Sequence, residues 1–236
     1  YLSRPFDHDY FTMSVLDSAH NLILNGDSLE ICASTTNGAL ILPHPGFEKR
    51  VLIFHMGCVP NTSCLQDYCI FPMVSTVDYS DGTVQITEKN RLLTSFPAEE
   101  KFAAIKHANG KDWWLITHAA LRPAEQSCND EFVKFLVTQD SVIGPITQHI
   151  GFEICSNYVS HTAEMKSNKT GTQVVYANGL GEKLGLFDFD RCDGRLSNFQ
   201  IIEDGGPISY TPYSVEFSPS GLVLYVLSSD FVGLND

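Results

Sequence analysis

His107 and His118 flank a single polar turn, with Asp112 between them. Imidazole changes its charge near neutral pH, so two of them around a carboxylate raise the question of acid–base catalysis. Such chemistry also needs a nucleophile, or a third group that orients the base, and no Ser or Cys stands in a G-x-S-x-G context. The two histidines are therefore assigned as binding candidates, and no catalytic residue is assigned. Between them lies Trp113-Trp114. Neighbours on a strand point to opposite faces, so one indole is expected in the core and the other nearer solvent, where its flat ring would suit the C–H face of a sugar. Packing between sheets is the plainer role for both. Asp188, Asp190, Asp193 and Gly194 form an acidic turn. It fails the pattern of a calcium loop, because Cys192 occupies the fifth position and Phe199 the twelfth. No phosphate loop, zinc helix or dinucleotide fingerprint occurs, so no metal and no cofactor are assigned.

Seven cysteines stand at 32, 58, 64, 69, 128, 155 and 192, an odd number that leaves at least one thiol unpaired within the chain. Cys58, Cys64 and Cys69 share a loop-like stretch with Pro60 and Asn61, which suits a local disulfide in an oxidising compartment. A zinc site built from them with His55 lacks the paired C-x2-4-C spacing.

These residues must be positioned by strands. Runs of β-branched and aromatic residues bounded by Asn, Asp, Gly and Pro recur through the 236 residues, among them Ala39–Leu42, Val51–Phe54, Cys69–Val77, Trp113–Thr117, Phe132–Thr138, Gln173–Tyr176, Leu184–Phe189 and Leu222–Leu227. Only Ala98 to Phe102 suggests a helical turn, and no long 3.6-residue period is present. Strand, Gly-containing turn and second strand repeat in order, with glycines at 38, 110, 171 and 221. The fold class predicted is an all-β propeller of four-stranded antiparallel blades. It is expected to be one incomplete domain spanning residues 1–236, with about four blades, the last truncated, in a chain that is a fragment of a longer protein.

Composition limits the partners. Twenty-eight acidic against 15 basic residues give a net charge of −13, which repels nucleic acid and anionic lipid. No apolar run approaches the roughly 20 residues of a membrane span.

The segments Asn25-Gly26-Asp27, Ser34 to Ala39, Pro43 to Gly46 followed by Val51–Phe54, Val77-Asp78 with Gly82 and Val84, Ala104 to His118, Leu186 to Asp190 with Gly194, and Tyr213 to Val226 around Phe217-Ser218-Pro219 carry a resemblance. Together they resemble β-propeller segments of large secreted proteins of gliding Bacteroidetes, which accompany type 9 secretion sorting or gliding-motility-associated C-terminal domains. No sorting domain occurs in this chain, and the cysteines depart from the group. The resemblance implies a secreted or cell-surface module on the outer-membrane exterior. It also implies O-glycosylation at Asp-Ser motifs, with Ser18, Ser28 and Ser141 as acceptors. The expected function is binding of a protein or glycan at the cell surface through His107, His118, Trp113 or Trp114, without catalysis. The alternatives are a propeller hydrolase or lyase with a metal-assisted site in the central channel, and a structural spacer.

Overall fold

The computed structural model describes residues 10–32, 35–60, 68–120, 128–154, 163–178, 183–203 and 211–229, and every regular element in them is a strand. A two-stranded pair, β1 (Tyr10–Met13) and β2 (Leu29–Cys32), comes first. Three antiparallel meanders follow. The first is β3 (Ala39–Pro43), β4 (Arg50–Pro60), β5 (Tyr68–Asp78) and β6 (Gln85–Leu92). The second is β7 (Ala103–Lys106), β8 (Trp113–His118), β9 (Asn129–Val137) and β10 (Val142–Ile154). The third is β11 (Met165–Ser167), β12 (Gln173–Asn178), β13 (Lys183–Phe189) and β14 (Leu196–Glu203), and the pair β15 (Thr211–Phe217) with β16 (Leu224–Ser229) ends the series. The protein is thus all-β, built of four-stranded up-and-down sheets.

The sheets stack face to face in chain order, and each junction has its own core. Leu52, Phe54 and Val74 of the first meander meet Leu115, Val133 and Phe135 of the second. Ile105, Trp114 and Phe132 of the second meet Val174, Tyr176 and Phe187 of the third. Ile23 and Leu29 cover Ile53, Val77 and Ile86 at one end of the stack, and Val175, Ala177 and Leu184 meet Val215 at the other. Central strands are consequently buried on both faces, which is why β4, β8 and β12 read as unbroken apolar runs rather than alternations. The second junction is largely aromatic. Phe132 lies edge-on to Phe187 at 5.1 Å and to Tyr176 at 5.5 Å, and truncating such a ring costs about 3–5 kcal/mol. First strands touch first strands, β7 with β11 and β11 with β15, while the last strands β10 and β14 also meet. Among the described residues each sheet packs chiefly on its neighbours, and the entries to the first and third meanders also meet, where Ala163 N–H donates to Thr36 Oγ1 at 3.3 Å.

Several expectations change. Ala98–Phe102 is not helical; Ala98 bridges Ala119, and Ala98 N–H donates to Ile70 C=O. Gly38 precedes β3 and is not a hairpin tip. The β3–β4 turn carries Gly46 at a φ of 80° instead, matching Gly110, Gly171 and Gly221 at 72°, 71° and 74°. The first repeat begins later than Gly38 suggested, which brings its spacing closer to the second. Cys58 is bonded to Cys32, not within the Cys58, Cys64, Cys69 group, because β2 packs on β4 and brings their Cα atoms to 4.8 Å. Cys64 and the side chain of Cys69 lie outside the described residues. Cys128 is disulfide-bonded as well, and Cys192 is a free, exposed thiol. Among the described residues, no helix is long and apolar enough to cross a membrane.

Candidate functional site

The meanders have two unlike ends. At one, β3–β4, β5–β6, β7–β8, β9–β10, β11–β12, β13–β14 and β15–β16 are joined by short turns closed by backbone hydrogen bonds. The opposite end holds the connections that enter each first strand, such as residues 93–102. His107 lies at the turn end, where β7 finishes, and His118 at the other, where β8 finishes. The strand separates the two histidines, and they do not act together.

His118 belongs to a sealed ionic cluster whose other members the sequence did not single out. Glu99, Lys101, His118 and Tyr176 are each no more than 1% exposed. Glu99 Oε2 accepts a 2.6 Å hydrogen bond from the Tyr176 hydroxyl and lies 3.1 Å from Lys101 Nζ, while Glu99 Oε1 stands 3.3 Å from His118 Nδ1. Lys101 Nζ also donates to Ala177 C=O at 3.0 Å and sits 4.3 Å from the centre of the Tyr176 ring. Burial pushes the Lys101 ammonium down, and Glu99 beside it opposes that shift. Burial raises the Tyr176 phenol, and the Glu99 charge raises it further. Lys101 lies on the connection into the second meander and its Nζ ends on a carbonyl of the third, so the cluster ties two sheets together. Glu99 is shared by the Tyr176 hydroxyl, the Lys101 ammonium and the His118 ring, all of them buried. Next to it, burial raises the Glu100 carboxyl to about 7, against contacts with Thr36 and the nearby Lys101, and Glu100 Oε2 has no hydrogen-bond partner among the described residues.

At the turn end the second and third meanders are clasped. His107 Nε2 lies 3.0 Å from Cys192 C=O, Trp114 Nε1–H donates to Arg191 C=O at 3.0 Å, and Lys134 Nζ donates to Gly194 C=O at 2.7 Å. Gly194, at a φ of 72°, lies against the Trp114 indole, where a Cβ would come within 2.8 Å of the ring. Trp114 is thus a core residue, and the acidic turn of Asp190 and Asp193 is a docking element. In return, Arg191 Nε donates to Lys106 C=O at 2.8 Å and Nη2 to His107 C=O at 3.3 Å.

Beside this clasp opens a cleft of about 450 Å3, lined by Ile105, Lys106, Trp113, Ser167, Lys169 and Arg191 among others. Trp113 is half-buried, and Lys106 Nζ lies over its ring at 3.9 Å, so the ring meets the cleft beneath an ammonium. Burial lowers the Lys106 ammonium, against the attraction of Asp112. A second cavity of about 300 Å3, lined by Asn37, Phe102, Ala103, Met165 and Lys166 among others, shares Ala104 and Ser167 with the first. Ser18, Ser28 and Ser141 are all exposed. Among the described residues, no group of three His, Cys, Asp or Glu side chains converges as metal ligands would.

No protein-family model matches the sequence, and no curated protein is significantly similar to it. Among solved structures, the chain is similar to a candidate 6-phosphogluconolactonase from Bacteroides uniformis, with 15% identity and a TM-score of 0.46 over 92% of this chain. It spans 56% of the length of that protein. A candidate 6-phosphogluconolactonase from Bacteroides fragilis gives 12% identity and a TM-score of 0.45, covering 95% of this chain and 76% of that one. A luciferin-regenerating enzyme gives 12% identity and a TM-score of 0.42, covering 79% of this chain and 53% of that one.

Proposed function

We propose that this chain is a run of consecutive β-propeller blades from an exported protein and that it serves as a binding module, taking its ligand in the cleft between the second and third meanders. One observation carries the reading: the turn-end cleft is open and lined by cationic and hydroxyl side chains, whereas the acid–base cluster at the other end is buried and hydrogen-bonded. Its volume of about 450 Å3 falls within the usual range for small-molecule sites. The Cys32–Cys58 disulfide favours an oxidising compartment, in keeping with the secreted Bacteroidetes proteins the sequence resembles.

The test is a mixed array of neutral and acidic oligosaccharides and of peptides, probed with the whole chain and with Ser167→Trp, which fills the cleft from its lining. Retention of a ligand by the wild type and its loss in the filled variant is the expected result. Equal retention by both would move the site elsewhere, and a wholly silent array would remove the binding role.

A second reading, a hydrolase, is favoured by Glu100 alone, since a carboxyl titrating at about 7 is suited to proton transfer. Turnover of an ester or glycoside panel, abolished in Glu100→Gln, would establish it; a panel untouched by the wild type would dismiss it.

A further inference from the structure

The charge around the cleft runs against that of the chain. Acidic residues outnumber basic ones 28 to 15, yet no Asp or Glu lines either of the two adjoining cavities, while Lys106, Lys166, Lys169 and Arg191 do. A cleft between the first and second meanders, about 370 Å3, lacks this segregation: Glu88 and Asp140 face it together with Arg91. Lys166 is paired with Glu164 at 3.8 Å and Lys106 is drawn by Asp112, so Lys169 and Arg191 carry the positive field of the cleft, which solvent screens poorly inside a concave, partly apolar wall.

The cations are also held for use. Arg191 spends Nε and Nη2 on the carbonyls of Lys106 and His107, which fixes the plane of its guanidinium and leaves its remaining N–H groups for a partner. Gly171 allows that approach, because at its φ of 71° a Cβ would come within 2.6 Å of Ile105 Cγ2 and 3.3 Å of Arg191 Cδ. Lys106 is held over Trp113 by a 2.8 Å bond to Lys111 C=O. Lys169 Nζ and Ser167 Oγ carry no hydrogen bond or ion pair among the described residues, and the Trp113 indole N–H is buried without a partner. The Asn168 carboxamide braces the turn, accepting from Thr172 N–H and Gln173 N–H at 2.9 and 3.2 Å, so Lys169 projects from a fixed base.

Resting on the binding role proposed above, we infer that the ligand of this cleft is an acidic saccharide, whose sulfate, phosphate or carboxylate lies against Arg191 and Lys169. Its hydroxyls reach Ser167 and Thr170, and its ring lies along Ala104 and Ile105. An oxyanion matches the fork of a guanidinium, and a bond between two charged groups is about twice as strong as a neutral one. The hydroxyl-bearing side chains and the apolar wall suit a compact polyol rather than a bare ion.

Isothermal titration of the whole chain with glucose, glucose 6-sulfate, glucose 6-phosphate and glucuronate tests this. One or more of the acidic sugars should bind at least about tenfold more tightly than glucose, and which one does so identifies the oxyanion. That affinity should fall when ionic strength rises from about 0.01 M to about 0.15 M, and it should drop about fivefold in Lys169→Ala. Lys169 is exposed on a turn, so an unchanged melting temperature separates lost binding from lost folding. Equal binding of glucose and the acidic sugars would overturn the anionic class and leave the binding cleft standing. Silence with all four sugars would overturn the saccharide, while the array above still decides whether the cleft binds anything. Acid-selective binding untouched by Lys169→Ala would overturn the location.

Discussion

Lys101 and Lys169 stand on the connections that enter and leave neighbouring first strands, one at each end of the strands, and they hold their charge in opposite ways. Lys101 is wholly buried, paired with Glu99 and bonded to Ala177 C=O. Lys169 is exposed beside an open cleft with no carboxylate in its lining. The first arrangement consumes its charge in joining two sheets; the second leaves it for a partner. The difference teaches that a charged side chain in a stack of sheets is informative through what faces it, not through its type.

Removing Lys101 should have the largest effect. Lys101→Ala strands the Glu99 carboxylate in a dry site, and urea unfolding should register a loss of about 3–5 kcal/mol. A loss below about 1 kcal/mol would mean that the cluster is not a tie between sheets.

Glu100 gives a smaller, pH-dependent effect. Its folded value lies above that of the unfolded chain, so it is protonated in both states below about 4.5. As pH rises towards about 7 the unfolded chain releases a proton that the fold retains, and stability falls across that window before levelling off. Glu100→Gln should flatten this part of the profile and be more stable by about 2 kcal/mol at alkaline pH, allowing for partial exposure. A slope unchanged by the substitution would assign it to another group.

Arg191→Ala should cost about 1–2 kcal/mol, because the carbonyls of Lys106 and His107 lose their donor, and it should also weaken the cleft. Lys169→Ala should change stability by less than about 0.5 kcal/mol while reducing binding, the contrary of Lys101. If both lysines behaved alike, the distinction between the two ends would fail.

Much of the fold was legible in the sequence, and the reason is burial. β5, β8, β12 and β13 lie in the middle of their sheets, covered on both faces, and their apolar runs announce them. The last strands of the first two meanders were not legible. β6 (QITEKNRL) and β10 (VIGPITQHIGFEI) lie at sheet edges; β6 is mostly polar, and the apolar residues of β10 are interrupted by Gly144-Pro145 and by shifts in its register with β9. Gly38 was mistaken for a turn tip because Asn-Gly serves the approach to a strand as readily as a hairpin. Alternation along a strand is local, and in the structure Trp114 is buried while Trp113 is half-buried. The sites were less visible, because their members come from different sheets. Glu99 meets Tyr176, and Lys106 meets Arg191, across 77 and 85 residues of chain. The Ala98–Phe102 segment even suggested a helix, although it carries the buried cluster. One linear signal was available: Lys106, Lys166, Lys169 and Arg191 all lie within or beside the repeated turns of an otherwise acidic chain.

The account turns on the claim that the turn end of the strands receives a ligand and the opposite end only joins sheets. Mapping amide and side-chain NMR shifts during titration with whichever acidic sugar binds tests it directly. Shifts confined to Lys106, Trp113, Ser167 to Gly171 and Arg191, with Glu99, Lys101, His118 and Tyr176 unmoved, are predicted. Shifts centred on the Glu99 cluster would contradict the claim and return the site to the opposite end of the strands.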